Sequence, residues 1–383
     1  MNISKNSSWN NIIAPAIALL AFILILGQRA SGNTVIAWGY DSAGQVEIPR
    51  GLTNVAAVAA GAYHSLALAS NGTVVAWGNN TYGQTNVPAN LTNTAAIAAG
   101  WYHNLTLKSN GTVVAWGDNT FGQTNVPSSL TNISAIAGGW IHSLALRSNG
   151  VVVAWGDNGW GQTNAPAGLA NVVGIAAGEL HNLALRNDGT VVAWGDNTYG
   201  QTNVPAGLTG VAAIACGWFH SLAIRSNGTV VVWGDNTYSQ TNAPSGLTNA
   251  KAIAGGSAHS LLSESNGTMV AWGNNDFGQT NFPPGLIQVL AIAAGGYHSL
   301  AVSTLTMPPL IFNRVPPNLQ LTAAGFQLQV DGAAGITPVV IYASTNLAVW
   351  MPVHTSPPVV GALPFLDSAA TNFPRRFYRA EEP

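Results

Sequence analysis

Seven histidines stand at one fixed step along the chain: His64, His103, His142, His181, His220, His259 and His298, each 39 residues after the last. Imidazoles at a regular spacing invite a metal or general-base reading. If the repeat builds equivalent units around an axis, however, neighbouring copies lie about 10 Å apart, whereas a zinc–nitrogen bond is about 2.0–2.1 Å. Equivalent histidines off that axis cannot share an ion. A structural role follows, each ring hydrogen-bonding loop backbone, and no metal is expected. His354, the eighth, has no ligand-like neighbours.

Carboxylates fare no better as catalysts. Asp118, Asp157, Asp196 and Asp235 follow a Trp-Gly pair, but Asn79 and Asn274 occupy the same place in other copies, and Tyr40 in the first. Asn keeps an acceptor oxygen and drops the charge, so the position wants a turn-forming hydrogen bond. No repeat supplies a convincing carboxylate pair. The chain is therefore expected to be no enzyme, with no catalytic residues and no cofactor. The single cysteine, Cys216, replaces an alanine in Ala212-Ala-Ile-Ala-Cys-Gly217 and reads as a small buried filler.

Those positions belong to a unit written seven times. Its tryptophan recurs at Trp38, Trp77, Trp116, Trp155, Trp194, Trp233 and Trp272, and a 39-residue period without insertion means seven copies of one structural unit. Each copy holds three strand signals. The first is small and apolar, as in Ala95-Ala-Ile-Ala-Ala-Gly100, suited to a place where sheets crowd together. The second starts at the histidine, His103-Asn-Leu-Thr-Leu107, and alternates with period 2. Ser109-Asn-Gly111 then turns into the third, Thr112-Val-Val-Ala-Trp116, as a hairpin whose two central residues both favour positive φ. Gly-Asp-Asn-Thr-Phe-Gly-Gln-Thr-Asn-Val-Pro follows as a crossing loop to the next unit.

The array opens with an isolated third strand, Thr34–Trp38, and finishes with a first and a second, Val289–Gly295 and His298–Val302. These fragments complete one another only if the array closes into a ring, which also removes exposed sheet edges. The expected fold is all-β: a seven-bladed β-propeller over residues 33–303, closed by the N- and C-terminal strands of the repeat array. A 304–318 linker rich in proline leads to a small β-sandwich module at 319–383.

Residues 1–32 read as a signal peptide, with Lys5, an apolar run from Ile12 to Leu26 and the small residues Ala30-Ser-Gly32. The run is shorter than the roughly 20 residues of a usual membrane span, so cleavage near Gly32 is expected, a retained anchor being the alternative. That puts the repeats in an extracellular, periplasmic or cell-surface location, off the membrane after cleavage. Charged residues are 7% of the chain, with 12 basic and 14 acidic side chains, against roughly 25% in an ordinary domain. No basic cluster offers to neutralise phosphates, so a nucleic-acid partner is not expected.

The Ala-Gly-x-x-His-Ser-Leu-Ala-Leu and Val-x-Ala-Trp-Gly-Asp-Asn-x-x-Gly-Gln patterns, as in Gly217–Ile224 and Val192–Gln201, resemble the repeats of the regulator of chromosome condensation family. Its members are seven-bladed propellers. The short units are similar to a secreted bacterial propeller that inhibits β-lactamases, including the Gly-Gln-Thr-x-x-x-Pro loop. The tail resembles small β-sandwich modules that close many secreted bacterial proteins, through Ala343-Ser-Thr-Asn-Leu, Trp350, Asp367 and Arg376-Phe-Tyr-Arg379.

Within the repeat, the two residues before each histidine vary most, and they join strand one to strand two at one mouth of the ring. Large aromatics there are expected to bind a partner: Tyr63, Trp101, Tyr102, Trp140, Trp218, Phe219 and Tyr297, with Glu179 among them. By position this is also the face that the inhibitor-type propellers, as the resemblance implies, present to their protein partner. The aromatics of the crossing loop, Tyr82, Phe121, Trp160, Tyr199, Tyr238 and Phe277, recur in six copies and read as structural. The expected function is a secreted or surface binding module, a monomer, for a protein or a carbohydrate, a hydrolase inhibitor being one special case. The alternatives are guanine-nucleotide exchange or chromatin docking, as in the eukaryotic family, and a structural scaffold in a surface assembly.

Overall fold

The hairpin signals become antiparallel ladders in the computed structural model, which describes residues 33–283, 286, 288–304, 311–312, 319–322, 325–344, 351–368 and 377–381. The expected signal peptide and most of the linker lie outside the described residues. After β1 (Thr34–Gly39), blade 1 comprises β2 (Val55–Ala60), β3 (His64–Ala69) and β4 (Val74–Gly78), paired in the order β2-β3-β4. Five more blades follow the same plan, with first strands Thr94–Ala99, Ile133–Gly138, Val172–Ala177, Val211–Cys216 and Ala250–Gly255. Blade 7 unites the two ends of the array: β1 pairs with His298–Ser303 from Thr34↔Ser303 to Gly39↔His298, and that strand pairs with Val289–Ala294. First strands touch in sequence around the ring, and the first strand of blade 7 touches β2.

The first strand is innermost because it alone is small enough: Ala59, Ala98, Ala137, Ala176, Ala215, Ala254 and Ala293 line a common central channel. The core lies between blades rather than within them. Leu105, Leu107 and Val113 of blade 2, for example, pack against Ile133, Ile136, Ala145 and Trp155 of blade 3.

One detail of the hairpin differs from the sequence reading. Gly111 alone adopts positive φ (81°), while Asn110 does not, and Gly111 N–H donates to Lys108 O at 2.9 Å. This is a type I turn with a glycine bulge, the three-residue connection rather than the two-residue one. Asn110 serves by accepting from Thr112 N–H through its Oδ1 at 3.0 Å.

Each blade is bolted to the next by buried polar groups. The crossing-loop glutamine offers its backbone carbonyl to two donors of the following blade: Gln84 O accepts from Trp116 Nε1–H at 3.0 Å and from Asn104 Nδ2–H at 2.7 Å. Gln123 O likewise accepts from Trp155 Nε1–H (2.9 Å) and Ser143 Oγ–H (2.8 Å). The serine or asparagine in turn meets the histidine of the blade before: His103 Nε2 to Ser143 Oγ at 2.9 Å, His64 Nε2 to Asn104 Oδ1 at 2.7 Å, and across the closure His298 Nε2 to Ser65 Oγ at 2.9 Å. Since the hydroxyl proton is spent on the glutamine carbonyl, Nε2 must carry the imidazole proton. The expected structural role of the histidines stands, but the Nε2 partner is a neighbouring side chain, which in turn bonds loop backbone.

Space for the ring is made by glycine. A Cβ on Gly139 would collide with the His142 ring and stand 2.8 Å from Gly178 O of the next blade. All seven histidines are fully buried, and burial pulls each well below the ordinary 6.5, to about 4 at His64 and His142 and about 3 at the other five. The positive charges that neighbouring histidines would acquire add to this at His103, His181, His220, His259 and His298.

After the ring, Ile311–Phe312, Leu319–Thr322, Gly325–Ser344, Met351–Asp367 and Phe377–Glu381 form one five-stranded antiparallel sheet. A β-sandwich was the expectation; a second sheet is not among the described residues.

The buried histidines make stability depend on acid in one direction. Unfolded imidazoles take up protons near pH 6.5, whereas the folded ones stay neutral down to about 3–4. The unfolded chain therefore binds more protons throughout that window, and stability falls as pH falls through it. At pH 5 each histidine loses about 2 kcal/mol, roughly 14 kcal/mol for seven, against a usual total of about 5–15 kcal/mol. Thermal unfolding from pH 8 to 4.5 should show Tm dropping steeply below pH 6.5 and the fold lost near pH 5; a Tm flat from 7 to 5 would contradict the neutral belt.

Candidate functional site

The strand-one-to-strand-two turns form a continuous belt around one mouth of the ring. Their backbones bond blade to blade: Ala62 N–H to Trp101 O (3.1 Å), Trp101 N–H to Gly139 O (3.2 Å), Trp140 N–H to Glu179 O (3.1 Å) and Glu179 N–H to Trp218 O (3.3 Å). The belt continues through Trp218 N–H to Gly256 O (3.1 Å) and Ser257 N–H to Gly296 O (3.3 Å), and shuts with Gly296 N–H to Gly61 O (3.0 Å). Variable side chains thus project from a closed, hydrogen-bonded frame.

All eight residues expected at the mouth lie on this belt, and six of the seven aromatics among them form one connected set, Phe219 meeting only the outer Tyr199. Trp101 of blade 2 meets Trp140 of blade 3 and Trp218 of blade 5, with ring centroids 4.6 Å apart in both pairs. Blades 2 and 5 are three steps apart, so the indoles meet over the axis. Trp218 continues to Tyr297 (5.5 Å), Tyr297 to Tyr63 (5.9 Å) and Tyr63 to Tyr102 (6.2 Å). These rings are half-buried against one another, not freely exposed.

Exposure belongs instead to the crossing-loop aromatics that the sequence marked as structural. Tyr82, Phe121, Trp160, Tyr199, Tyr238 and Phe277 are 46–56% exposed. They share the face with the mouth: Tyr82 packs on Tyr102 (5.1 Å), Tyr199 on Phe219 (4.9 Å) and Phe277 on Tyr297 (5.4 Å). The loop needs their backbone only, since the amide of Phe121 donates to Gln123 Oε1 at 2.9 Å. An aromatic kept in six of the seven loops, Ala43 standing in the first, whose ring the loop does not use is a surface feature repeated, and the signal for it was the absence of any apolar partner within its own loop.

The same glutamine explains the Asp/Asn exchange. Gln123 Nε2 donates to Asp118 Oδ2 at 2.9 Å while Asp118 Oδ1 accepts from Thr120 N–H at 3.0 Å; in blade 1 one oxygen, Asn79 Oδ1, accepts from both Gln84 Nε2 (2.8 Å) and Thr81 N–H (3.0 Å). Where Tyr40 replaces the acceptor, Gln45 Nε2 is buried without a partner, and the Tyr40 ring packs on Phe277 at 4.6 Å. That copy exchanges a loop hydrogen bond for an aromatic contact.

Behind the indoles lies a cavity of about 170 Å³ walled by strand-one alanines and glycines. Glu179 and Cys216 are its two other functional linings. Burial pushes the Cys216 thiol up and keeps it protonated, a poor nucleophile, in keeping with the filler reading. Among the described residues no three His, Cys, Asp or Glu side chains converge to hold a metal.

The sequence matches the regulator of chromosome condensation (RCC1) repeat at residues 55–84, 95–123, 133–162, 172–201, 211–240 and 250–279, the first six blades. No curated protein sequence matches it significantly. Among solved structures, Prp20p from Saccharomyces cerevisiae is similar at 22% identity and TM-score 0.62, over 72% of this chain and 92% of that one. Yeast RCC1 (Prp20), solved with Kap60 bound, is similar at 22% identity and TM-score 0.63, over 79% and 94%. Human WBSCR16 follows at 18% identity and TM-score 0.58, over 71% and 99%.

In the loop that carries the outer aromatics, Asp118→Asn should leave stability within about 0.5 kcal/mol, whereas Asp118→Ala should cost about 1–3 kcal/mol by orphaning Gln123 Nε2; urea unfolding distinguishes the two. Six family matches in register with six blades, and a seventh blade built from the two ends of the array, make this chain an RCC1-like repeat protein with the propeller fold of that family.

Proposed function

We propose that the protein is an exported binding module that grips a protein partner with the aromatic mouth of its propeller. The observation that supports this most is the pairing of a half-buried inner aromatic set with six outer aromatics 46–56% exposed on the same face. Apolar surface of that extent is unusual on a protein that meets nothing, and Trp and Tyr dominate binding hot spots. The belt of interblade backbone bonds holds the rings in place before a partner arrives, which lowers the ordering cost of binding.

Protein partners are known for similar propellers: Prp20p was studied for its binding to Gsp1p and histones, and yeast RCC1 was solved with Kap60. At 22% identity those partners do not transfer. Nucleotide exchange is disfavoured for this chain by the signal-like residues 1–32 and by a mouth whose variable positions hold one charged residue, Glu179.

Proteins retained by the immobilised chain should be lost by the Trp101→Ala/Trp218→Ala variant. Each substitution should cost about 2 kcal/mol or more in affinity, less than additively because the two indoles touch. Full retention by the double variant, with its thermal unfolding unchanged, would remove the aromatic mouth as the binding surface. Mass spectrometry of the mature amino terminus should find it near Asn33; an intact Met1 in the cytoplasmic fraction would end the export reading.

A further inference from the structure

Glu179 differs in kind from the residues that share its repeat position, which are Ala62, Trp101, Trp140, Trp218, Ser257 and Gly296. It is the one charged side chain lining the axial cavity. It is 8% exposed, and its Oε2 has no hydrogen-bond partner. A buried acceptor left unmade is expensive, and a buried carboxylate without a counter-charge more so. The free protein therefore holds an unpartnered carboxyl oxygen in the cavity of its mouth.

The surroundings specify what relieves it. The Glu179 backbone is bonded on one side to Trp140 and on the other to Trp218, and the Trp101 indole touches both of those rings. Indole faces attract cations through the ring quadrupole, so three indoles lining the same cavity as one carboxyl group favour a positive group that is also partly apolar. The cavity behind them, about 170 Å³ and walled by alanine and glycine, exceeds the roughly 150 Å³ that admits a benzene-sized guest. It has room for a short alkyl chain, and no Lys or Arg of the protein lines it.

We propose that this mouth is an alkylammonium site that accepts a lysine side chain of the protein partner, the ammonium pairing with Glu179 and the methylene stem packing on the indoles. The proposal rests on the aromatic-mouth reading and adds to it the chemistry of the anchoring residue. It also makes binding proton-linked. Burial first, and then the negative charge of Asp196, push the Glu179 carboxyl up to about 7. A cation favours the ionised form, so affinity rises with pH to about 7 and flattens above. Tyr297 also feels the Glu179 charge but titrates above 10, and His142, His181 and His220 remain neutral throughout this range.

The test needs no partner. The full chain is titrated with n-butylammonium chloride and, separately, with n-butanol and sodium chloride, while tryptophan fluorescence is followed. Butylammonium alone should give a saturable change, about tenfold tighter at pH 8 than at pH 6, and Glu179→Gln should weaken it by about tenfold. An equal response to butanol, which requires no variant, would overturn the proposal. So would an unchanged titration in a Glu179→Gln protein that unfolds at the wild-type temperature. Failure here, with partner retention still abolished by Trp101→Ala/Trp218→Ala, would leave the aromatic mouth standing and remove only its preference for lysine.

Discussion

The carbonyl of one loop glutamine, shared between the indole N–H and the serine or asparagine of the next blade, is the contact on which the ring depends. It joins what no single blade could satisfy. Trp155 Nε1 and Ser143 Oγ both lie buried in blade 3, and both find their acceptor, Gln123 O, in the loop arriving from blade 2. Displacing that loop would leave both groups without their acceptor, at a cost above that of ordinary lost packing. The final copy obeys the same rule, since Trp38 Nε1 donates to Gln279 O at 2.9 Å and His298 reaches Ser65. Closure is thus enforced by hydrogen-bond accounting as much as by the pairing of Thr34–Gly39 with His298–Ser303.

This constraint also accounts for the strictness of the period. An insertion in the crossing loop would move the glutamine carbonyl off two donors, and a larger residue before the turn would displace the imidazole beneath it, as at Gly139. The two residues before each histidine escape because only their backbone enters the belt. Trp101 uses its N–H and O there as Gly296 does, and Trp140 uses its N–H as Ser257 does. Sequence variation is therefore permitted where side chains leave the frame and forbidden where they build it.

Most of the fold was legible for that reason. The 39-residue step announced seven units, the orphan strand at Thr34–Trp38 announced the closure, and the turn position before each histidine located the mouth. Other features were not legible because they depend on the neighbouring blade. Nothing local to His103 says that its partner is Ser143, 40 residues on, and the Asn-Gly dipeptide is compatible with both hairpin turns until the register Leu107↔Val113 selects one. The outer aromatics combine a structural part with an exposed one: Tyr82, Tyr199 and Phe277 pack on mouth aromatics, yet all six rings are about half exposed. Recurrence of Phe121 and Tyr199 does reflect the repeat, but through their amides, while their rings face solvent.

A sevenfold ring with identical tips would offer seven equivalent weak sites, and a partner could seat in any of seven rotations. The variable pair abolishes that degeneracy. Bulky indoles stand on blades 2, 3 and 5, a carboxylate on blade 4, and the small residues Ala62, Ser257 and Gly296 on blades 1, 6 and 7. Trp101 and Trp218 can meet across the mouth only because their counterparts on other blades do not fill it. On the binding proposed for this mouth, one orientation of a partner would be distinguished from the other six by shape and by the single carboxyl at Glu179. Symmetry supplies the rigid frame, and its breach at two residues per blade is where the proposed binding would draw its selectivity.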